Sequence, residues 1–272
     1  MLFESPSTFG RAFRILTFGE SHGPAVGVVM DGVKPGLPFD LDAIQKELDR
    51  RRPGQSDMVT PRQEGDRVQV LSGVHEGCTT GHPIALVVFN ENQRSRDYDA
   101  LRDLFRPGHA DMTYQRKYGL RDPRGGGRSS GRETLARVAA GAWAKQQLAA
   151  LGVRIRGFNR AIAGIEGPVL DWDFVERNPL RVADPGVFPA QKEAVAAAME
   201  AHDSVGGVTE VWIEGLPLGL GDPAFAKFDA LLAYACMSIG AVKGVEVGAG
   251  FAAARLRGSE ANDPIGPEGP QK

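Results

Sequence analysis

The first ninety residues contain short segments in which apolar positions alternate with polar ones or run together between turn-forming residues. Alternation over four to eight residues is typical of a half-buried strand, and glycine, proline and small polar residues commonly bound such strands. We therefore predict four strands in this part of the chain, the first around Phe13 and Ile15 and the others at residues 26–30, 68–71 and 84–89.

Two segments combine helical periodicity with start signals. Asp40 is a predicted N-cap, and the apolar face that follows it ends at residues 50–54 (RRRPG), which make the end of this helix cationic. Ser130 and Glu133 match the capping-box pattern ahead of a long apolar stripe. The second helix is therefore predicted to begin at Ser130 and to end near residues 151–152.

The second half of the chain alternates between strand-like and helical segments and contains no internal repeat. The predicted strands are residues 153–164, 208–213 and 242–251, and the predicted helices are residues 189–202 and 224–237. Strands with hairpin-like connections and intervening helices indicate an α+β fold. No linker-like composition divides residues 1–272, so we expect a single domain in which residues 258–272 form a mobile loop or a ragged end.

Composition narrows the class of protein. The 272 residues carry 32 Lys and Arg against 34 Asp and Glu, a net charge of −2, and 42% of them are hydrophobic. These values are ordinary for a globular protein and argue against a nucleic-acid coat protein or a disordered chain. The absence of a signal-peptide layout and of an apolar run near the ~20 residues of a membrane span predicts a cytoplasmic protein. Cys78 and Cys236 are predicted to be buried thiols, not a disulfide or a zinc site.

Residues 19–23 (GESHG) match the hydrolase pattern G-x-S-x-G. A nucleophile elbow requires a strand, this turn and then a helix, whereas Pro24 and a strand-like segment follow here. This context disfavours a serine hydrolase. His22 in such a turn could reach a ligand and change its charge near neutral pH. A satisfied surface imidazole explains the residue equally well, and His22 alone does not separate the two interpretations.

Residues 94–137 are rich in arginine. They contain eleven cationic and six acidic residues, a net charge of +5, and ten of the eleven cations are arginines. The planar guanidinium pairs with carboxylate or phosphate through two parallel hydrogen bonds, so this choice favours recognition of anions. A second histidine, His109, follows Arg106 in a Pro-Gly turn within this segment. Several of the arginines, Arg94 and Arg116 in particular, are also explained as solvated surface residues.

Residues 125–130 (GGGRSS) lead directly into the second predicted helix. Backbone N–H groups, the positive end of a helix dipole, two hydroxyls and a guanidinium could converge there on one phosphate-sized anion. The pattern is neither a Walker loop nor G-x-G-x-x-G, which disfavours binding of ATP or a dinucleotide in those folds. A glycine-rich loop ahead of an ordinary helix cap is the alternative. Because aromatic residues are sparse among the arginines, we expect no nucleic-acid partner.

Long ordered motifs extend over nearly the whole chain and are far more specific than these short patterns. Together they resemble the chorismate synthase family. The motifs are FGESHGPAVGVVMDGVKPGLP (18–38), DRRRPGQS (49–56), LSGVHEGCTTGHPI (71–84), NENQRSRDY (90–98), RPGHADMTYQRKYGLRDPRGGGRSSGRETLARVAAGA (106–142) and MSIGAVKGVEVGAGF (237–251).

The resemblance implies a fold and a reaction. The fold would be a sandwich in which antiparallel β-sheets flank a layer of α-helices, in a homotetramer of paired dimers. The reaction would be the last step of the shikimate pathway, a 1,4-anti elimination that converts 5-enolpyruvylshikimate 3-phosphate to chorismate and phosphate. It requires reduced FMN without net redox change. In the family's mechanism the flavin gives electron density to the substrate and hydrogen leaves C6 through the flavin, while the protein orients the reactants and supplies charge.

The resemblance also implies residue roles. His22 would donate a proton to the departing phosphate, and His109 would protonate or hydrogen-bond the reduced flavin near N1. The predicted flavin contacts are Arg128, Ser129, Ser130, Gly240 and Ala241. Arg51 matches an arginine that binds substrate anions, and the predicted substrate contacts are Arg51, Arg52, Arg106 and Arg132. A substrate with one phosphate and two carboxylates would account for the arginine excess.

The chain departs from the family pattern in two places. Asp57 stands where many members have an arginine, so Arg62 or another neighbour would have to supply that anion contact. The family also continues past the GSE-type loop into a segment that supplies a helper Asp for C6 deprotonation and further flavin and substrate contacts. We therefore keep a second possibility, a truncated non-catalytic fragment that retains part of the anion and flavin pocket.

The resemblance leaves the source of reduced flavin to be predicted. Some members reduce their own flavin, for which NADP is the associated nucleotide, and others depend on an external flavin reductase. No inserted segment separates the matched blocks, which favours external reduction. No membrane partner is expected.

Overall fold

The computed structural model describes residues 6–54, 58, 65–91, 104–267 and 269–270. Asp57, Arg62 and Arg94 lie outside the described residues. The chain divides into two compact units, Met1–Leu216 and Pro217–Lys272. The expectation of one domain over residues 1–272 stays a prediction.

The first unit is built on a five-stranded sheet of order β1-β2-β3-β7-β4. Its strands are Thr8–Gly10 (β1), Arg14–Gly19 (β2), Ala25–Asp31 (β3), Val68–Ser72 (β4) and Ile84–Phe89 (β7). The short strands Val74–His75 (β5) and Cys78–Thr79 (β6) pair with each other. Every strand pair of the sheet is antiparallel. The four strands predicted in this region are confirmed.

Two helices cover one face of this sheet. They are Leu41–Arg51 (α1), capped by the Asp40 side chain as predicted, and Thr134–Ala150 (α3). The alternate residues of β3 and β7 that point to this face are fully apolar, so they bury themselves against the apolar stripes of the helices. The resulting core includes Val26, Val28, Met30, Ile84, Leu86, Val88, Ile44, Leu48, Leu135, Ala139 and Trp143.

A second antiparallel sheet completes the first unit. Its order is β10-β8-β9, formed by Arg154–Ile162 (β8), Ile165–Glu166 (β9) and Gly207–Glu214 (β10). Helix α3 contacts both β3 and β8, and the helix Phe188–Glu200 (α5) packs against β8. The helix Trp172–Arg177 (α4) belongs to a small core with Phe158. Antiparallel sheets with helices packed on them confirm the predicted α+β class.

The second unit contains short elements. They are Gly221–Asp222 (β11), Ala226–Lys227 (β12), Phe228–Met237 (α6), a 3₁₀ helix at Gly250–Arg255, Gly258–Ala261 (α7), Ile265–Gly266 (β13) and Gly269–Pro270 (β14). The strand predicted at residues 242–251 is wrong, because residues 242–247 form no strand and the 3₁₀ helix begins at Gly250. Alternating Val and Gly imitates a strand pattern, but glycine weakens strands. The expected mobility of residues 258–272 stays a prediction.

Three other local features differ from what the sequence pattern predicts. The arginine-rich segment before residue 130 has no marked periodicity, yet Asp111–Tyr118 forms a helix (α2). Helix α3 begins at Thr134, because Ser130 caps a separate 3₁₀ turn, Gly131–Glu133, instead of the helix itself. The predicted buried thiols are wrong: Cys78 is exposed and Cys236 is half-buried. In the described part of the chain, no helix is long and apolar enough to cross a membrane.

Candidate functional site

His22 lies in the tight connection between β2 and β3. This turn of residues 20–23, the histidine turn, closes with a hydrogen bond from the Gly23 N–H to the Glu20 carbonyl at 3.1 Å. Ser21 and His22 are both buried, with exposed fractions of 2% and 7%. Because β2 and β3 form an antiparallel hairpin, the turn is not the strand–turn–helix of a nucleophile elbow. The predicted strand after this turn is confirmed.

A glycine loop formed by residues 125–127 packs directly on the histidine turn. The three glycines have φ angles of 60°, 86° and 53°, a left-handed run that side chains disfavour. A Cβ on Gly125 would lie 2.6 Å from Nε2 of His22 and 2.7 Å from Oγ of Ser21. A Cβ on Gly126 would lie 3.5 Å from a guanidinium nitrogen of Arg106. The loop is therefore the junction at which the His22 and Arg106 clusters meet.

Asp122 adds a carboxylate beside the same junction. Burial, the largest single influence on this carboxyl, raises its pKa, but hydrogen bonds from the Arg124 side chain and backbone and the charges of Arg124 and His22 together hold the pKa below its usual value. The Arg124 guanidinium lies 2.9 Å from the carboxylate. An ionised carboxylate thus lies within electrostatic range of His22.

The turn that carries His109 is held by a buried carboxylate. Asp111 accepts hydrogen bonds from the backbone N–H and from two guanidinium nitrogens of Arg106, and Arg121 approaches it at 3.5 Å. The hydrogen bond from the Arg106 side chain is the main cause that lowers the pKa of Asp111 to about 2. His109 is exposed, and its Nδ1 lies 3.0 Å from the Pro107 carbonyl. A carbonyl only accepts, so Nδ1 carries a proton and Nε2 is the atom available to a ligand.

Arg128 makes contacts that the sequence did not predict. Its guanidinium donates to the Thr17 hydroxyl at 2.6 Å, to the Thr17 carbonyl at 3.2 Å and to the Gly19 carbonyl at 3.1 Å. Arg128 therefore ties the glycine loop to the end of β2. Ser129 donates its hydroxyl to the Gly126 carbonyl at 2.7 Å, and the Ser130 hydroxyl accepts from the Arg132 N–H at 3.4 Å. Arg128 and Ser129 thus brace the loop, while Ser130 caps the turn that follows it, and the contacts of all three with flavin stay predictions.

Two of the predicted substrate-binding arginines share one buried carboxylate. Arg51 lies 3.1 Å from Oδ2 of Asp66, and Arg132 lies 3.0 Å from Oδ1. The Asp66 side chain is fully buried and that of Arg132 nearly so. Arg52, in contrast, is exposed at the C-cap of α1. The structure thus joins Arg51 to Arg132 and places Arg106 at the glycine loop.

The remaining predicted flavin residues lie in the second unit. Gly240 and Ala241 are exposed, and Ala241 has a φ of 70°, in the left-handed region. A backbone turned this way directs its polar groups differently from a strand or helix. Their role toward a flavin stays a prediction.

Sequence reasoning missed three residues of the site: Asp66, Asn90 and Asp122. Asp66 follows a polar stretch of sequence without periodicity, and Asn90 directly follows β7, where a polar residue commonly ends a strand. Asn90 belongs to the motif NENQRSRDY, but the position carries no sign of its contacts. Asp122 was visible only as one of six acidic residues in the arginine-rich segment.

Comparison with known proteins agrees with this geometry. The profile of the chorismate synthase family matches residues 13–270. A chorismate synthase of Syntrophobacter fumaroxidans is 56% identical over 263 residues, covering 97% of this chain and 75% of the relative. One of Methanosarcina mazei is 55% identical over 261 residues, covering 94% and 72%. A crystal structure of a chorismate synthase superposes with a TM-score of 0.77 at 35% identity, covering 94% of this chain and 75% of that one.

The antiparallel sheets and the helices packed on them define an α+β protein, in which arginines lie beside the turn of His109 and the glycine loop on His22. The profile match and the relatives show more: the chain belongs to the chorismate synthase family. The family consists of lyases of the shikimate pathway, and the predicted resemblance is confirmed.

Proposed function

We propose that this protein converts 5-enolpyruvylshikimate 3-phosphate to chorismate and inorganic phosphate with reduced FMN as cofactor. The bond between C3 and the phosphate oxygen breaks, a hydrogen leaves C6 and a double bond forms, so substrate and products balance without net oxidation. The observation that carries the proposal is the position of His22: a buried imidazole, packed on a glycine loop beside Arg106, in a chain of this family.

His22 has the surroundings of a proton donor to a leaving phosphate. The imidazole is confined by Gly125 on one side, and an ionised carboxylate, Asp122, lies within electrostatic range. A buried general acid works best when its ring is held in one orientation, because proton transfer requires hydrogen-bond distance in the reacting complex. Arg106 at the adjacent loop supplies positive charge, which favours the developing phosphate dianion.

The arginine clusters support an anionic substrate. Two guanidinium groups share the Asp66 carboxylate, and two others share Asp111. Guanidinium groups pair with phosphate and carboxylate through several N–H donors at once. We assign the substrate's anions to Arg51, Arg106 and Arg132, and we assign Arg52 only a peripheral contact because of its exposure.

The residues present fit a flavin phosphate or ring edge at the glycine loop. Gly126 and Gly127 are buried and carry no side chains, and the Arg106 guanidinium lies beside Gly126. Ser129 is exposed on the same loop. When bound, reduced FMN would supply electron density to the substrate. The protein's part is to hold the flavin with residues 125–130 and to place a proton at His109, whose Nε2 is available to a ligand. Gly240 and Ala241 are assigned to the flavin on the family resemblance alone.

The decisive experiment is an anaerobic assay of this chain with 5-enolpyruvylshikimate 3-phosphate and reduced FMN. Chorismate absorbance and released phosphate should rise in equal amounts, and omission of the flavin or use of oxidised FMN should abolish both. Binding of substrate and flavin without product would instead support the non-catalytic fragment. If the chain showed neither binding nor turnover, the proposal would be contradicted.

The assembly, the source of reductant and the location of the protein are proposals of the same kind. We propose a homotetramer, an external flavin reductase and a cytoplasmic location, each supported by the family or the composition. Light scattering should give a mass near four times 29.1 kDa. NADPH added without a reductase should fail to sustain turnover. A monomer at micromolar concentration, or NADPH-driven turnover, would contradict the corresponding part.

A further inference from the structure

Asn90 joins the arginine cluster to the histidine turn. Its Nδ2 donates to two carbonyls of that turn, Glu20 at 3.0 Å and Gly23 at 2.7 Å. Its Oδ1 accepts from Nε of Arg132. Its backbone N–H also bonds to the Pro24 carbonyl at 3.0 Å. One side chain thus spans the two ends of the turn that carries His22.

The orientation of the Asn90 amide is fixed by Arg132. A guanidinium only donates and a carbonyl only accepts, so Arg132 selects the amide orientation in which Oδ1 faces it and Nδ2 faces the turn. Arg132 is itself held by Asp66 at 3.0 Å in a nearly fully buried pair. A buried charge pair of this kind is costly to break, which makes it a rigid support.

We propose that Asn90 is a positioning residue for His22, acting through the histidine turn and held in register by the Asp66–Arg132 pair. The inference rests on the proposed function where it concerns turnover, since it assigns to Asn90 the task of keeping the imidazole at the leaving phosphate. The assignment of position itself rests only on the contacts of Asn90 with the turn and with Arg132. Misplacement of a reacting group by a fraction of an ångström lowers the rate of the chemical step more than the binding of substrate.

The sharpest variant is Asn90→Asp, because it keeps the size and the bond to Arg132 but places a carboxylate oxygen against two carbonyls. The matched control is Asn178→Asp. Asn178 is buried, and its Nδ2 also donates to two carbonyls, Phe174 at 2.7 Å and Val182 at 2.9 Å, beside the far smaller core around Phe158. Both variants should lose stability, and only Asn90→Asp should disturb His22.

Two readouts test the proposal separately. At saturating substrate and reduced FMN, Asn90→Asp should lower kcat by about 10²-fold, with KM within about three-fold of the parent, while Asn178→Asp keeps the parent kcat. In spectra of 15N-histidine protein, the ring signals of His22, assigned with His22→Gln, should shift in Asn90→Asp and not in Asn178→Asp. The milder Asn90→Ser provides the same readouts if Asn90→Asp does not fold.

The outcomes distinguish this proposal from the proposed function. If the parent protein showed no turnover, the proposed function would be contradicted. The His22 ring signals would still show whether Asn90 positions the ring. A folded Asn90 variant with parent kcat would overturn the positioning role in turnover, and unchanged His22 ring signals would overturn it outright.

Discussion

Gly125 packs so closely on His22 that a methyl group at Gly125 would come within 2.6 Å of the imidazole Nε2. This contact joins residues about a hundred positions apart, and it explains why a glycine with a φ of 60° stands there. Both the backbone conformation and the space exclude a larger residue.

Gly125→Ala should therefore displace His22 and strain the loop. We expect turnover to fall by about 10²-fold or more, because the ring that donates the proton is moved. The matched control is Gly131→Ala: among the described residues, no heavy atom would lie within 4 Å of a Cβ at Gly131, and its φ is not left-handed. The control should keep parent activity. Equal activity of both variants in the anaerobic assay would show that the contact with Gly125 does not matter for catalysis.

Arg128→Ala should destabilise the protein by about 2 kcal/mol, since the guanidinium makes several charge-assisted hydrogen bonds to Thr17 and Gly19. Urea denaturation measures this change. Arg124→Ala is the control, because Arg124 pairs with Asp122 at the surface and such pairs contribute about 1 kcal/mol or less. Equal losses in the two variants would contradict the bracing role of Arg128.

A second variant separates bracing from flavin contact at Arg128. Thr17→Val removes the hydroxyl acceptor without removing the guanidinium, so it should reproduce part of the stability loss. If Arg128 also contacts FMN, Arg128→Ala should weaken FMN binding in the presence of substrate by about 1.5–3 kcal/mol, and Thr17→Val should weaken it less. Unchanged FMN affinity in Arg128→Ala, measured by titration calorimetry, would leave the residue only its structural role.

The ion pairs of Asp111 predict that the protein loses stability in acid. The hydrogen bond from Arg106 lowers the pKa of Asp111 from its usual 3.8 to about 2. As the pH falls, Asp111 therefore binds a proton in the unfolded chain before it does so in the folded protein. The stabilisation of the fold by ionised Asp111 is present above pH ~4 and is lost as the pH falls toward ~2. It amounts to about 2 kcal/mol. Asp111→Asn should be less stable than the parent at pH 6, and the difference should shrink between pH 4 and 2. A difference independent of pH in that window would contradict the assignment.

The sequence predicted most of the fold because local patterns determine it. Short apolar or alternating segments between turn-forming residues located β3, β4 and β7, and Asp40 located the start of α1. Patterns failed where a local cap or a high glycine content decided the conformation. Ser130 caps a 3₁₀ turn instead of α3, and the strand predicted at residues 242–251 did not form.

The site was predictable only in part for the same physical reason. His22, His109 and the glycine loop stand in distinctive local sequences. Asn90 reaches Arg132 across 42 positions, and Asp66 is recognisable only from the two arginines that it pairs in space. The bracing role of Arg128 depends likewise on Thr17, which lies in β2, far away in the sequence. Contacts between distant positions leave no periodic signal in one sequence.

The most direct test of the account is turnover by histidine variants of this chain with reduced FMN, assayed anaerobically for both chorismate and phosphate. His22→Ala and His109→Ala should each lower kcat by about 10²–10⁴-fold, with substrate affinity within a few-fold. His109→Ala should in addition alter the spectrum of the bound reduced flavin, while His202→Ala, at an exposed position just beyond the end of α5, should behave like the parent. Parent-like turnover in both the His22 and the His109 variants would contradict the acid–base assignment and leave the two turns with a structural role alone.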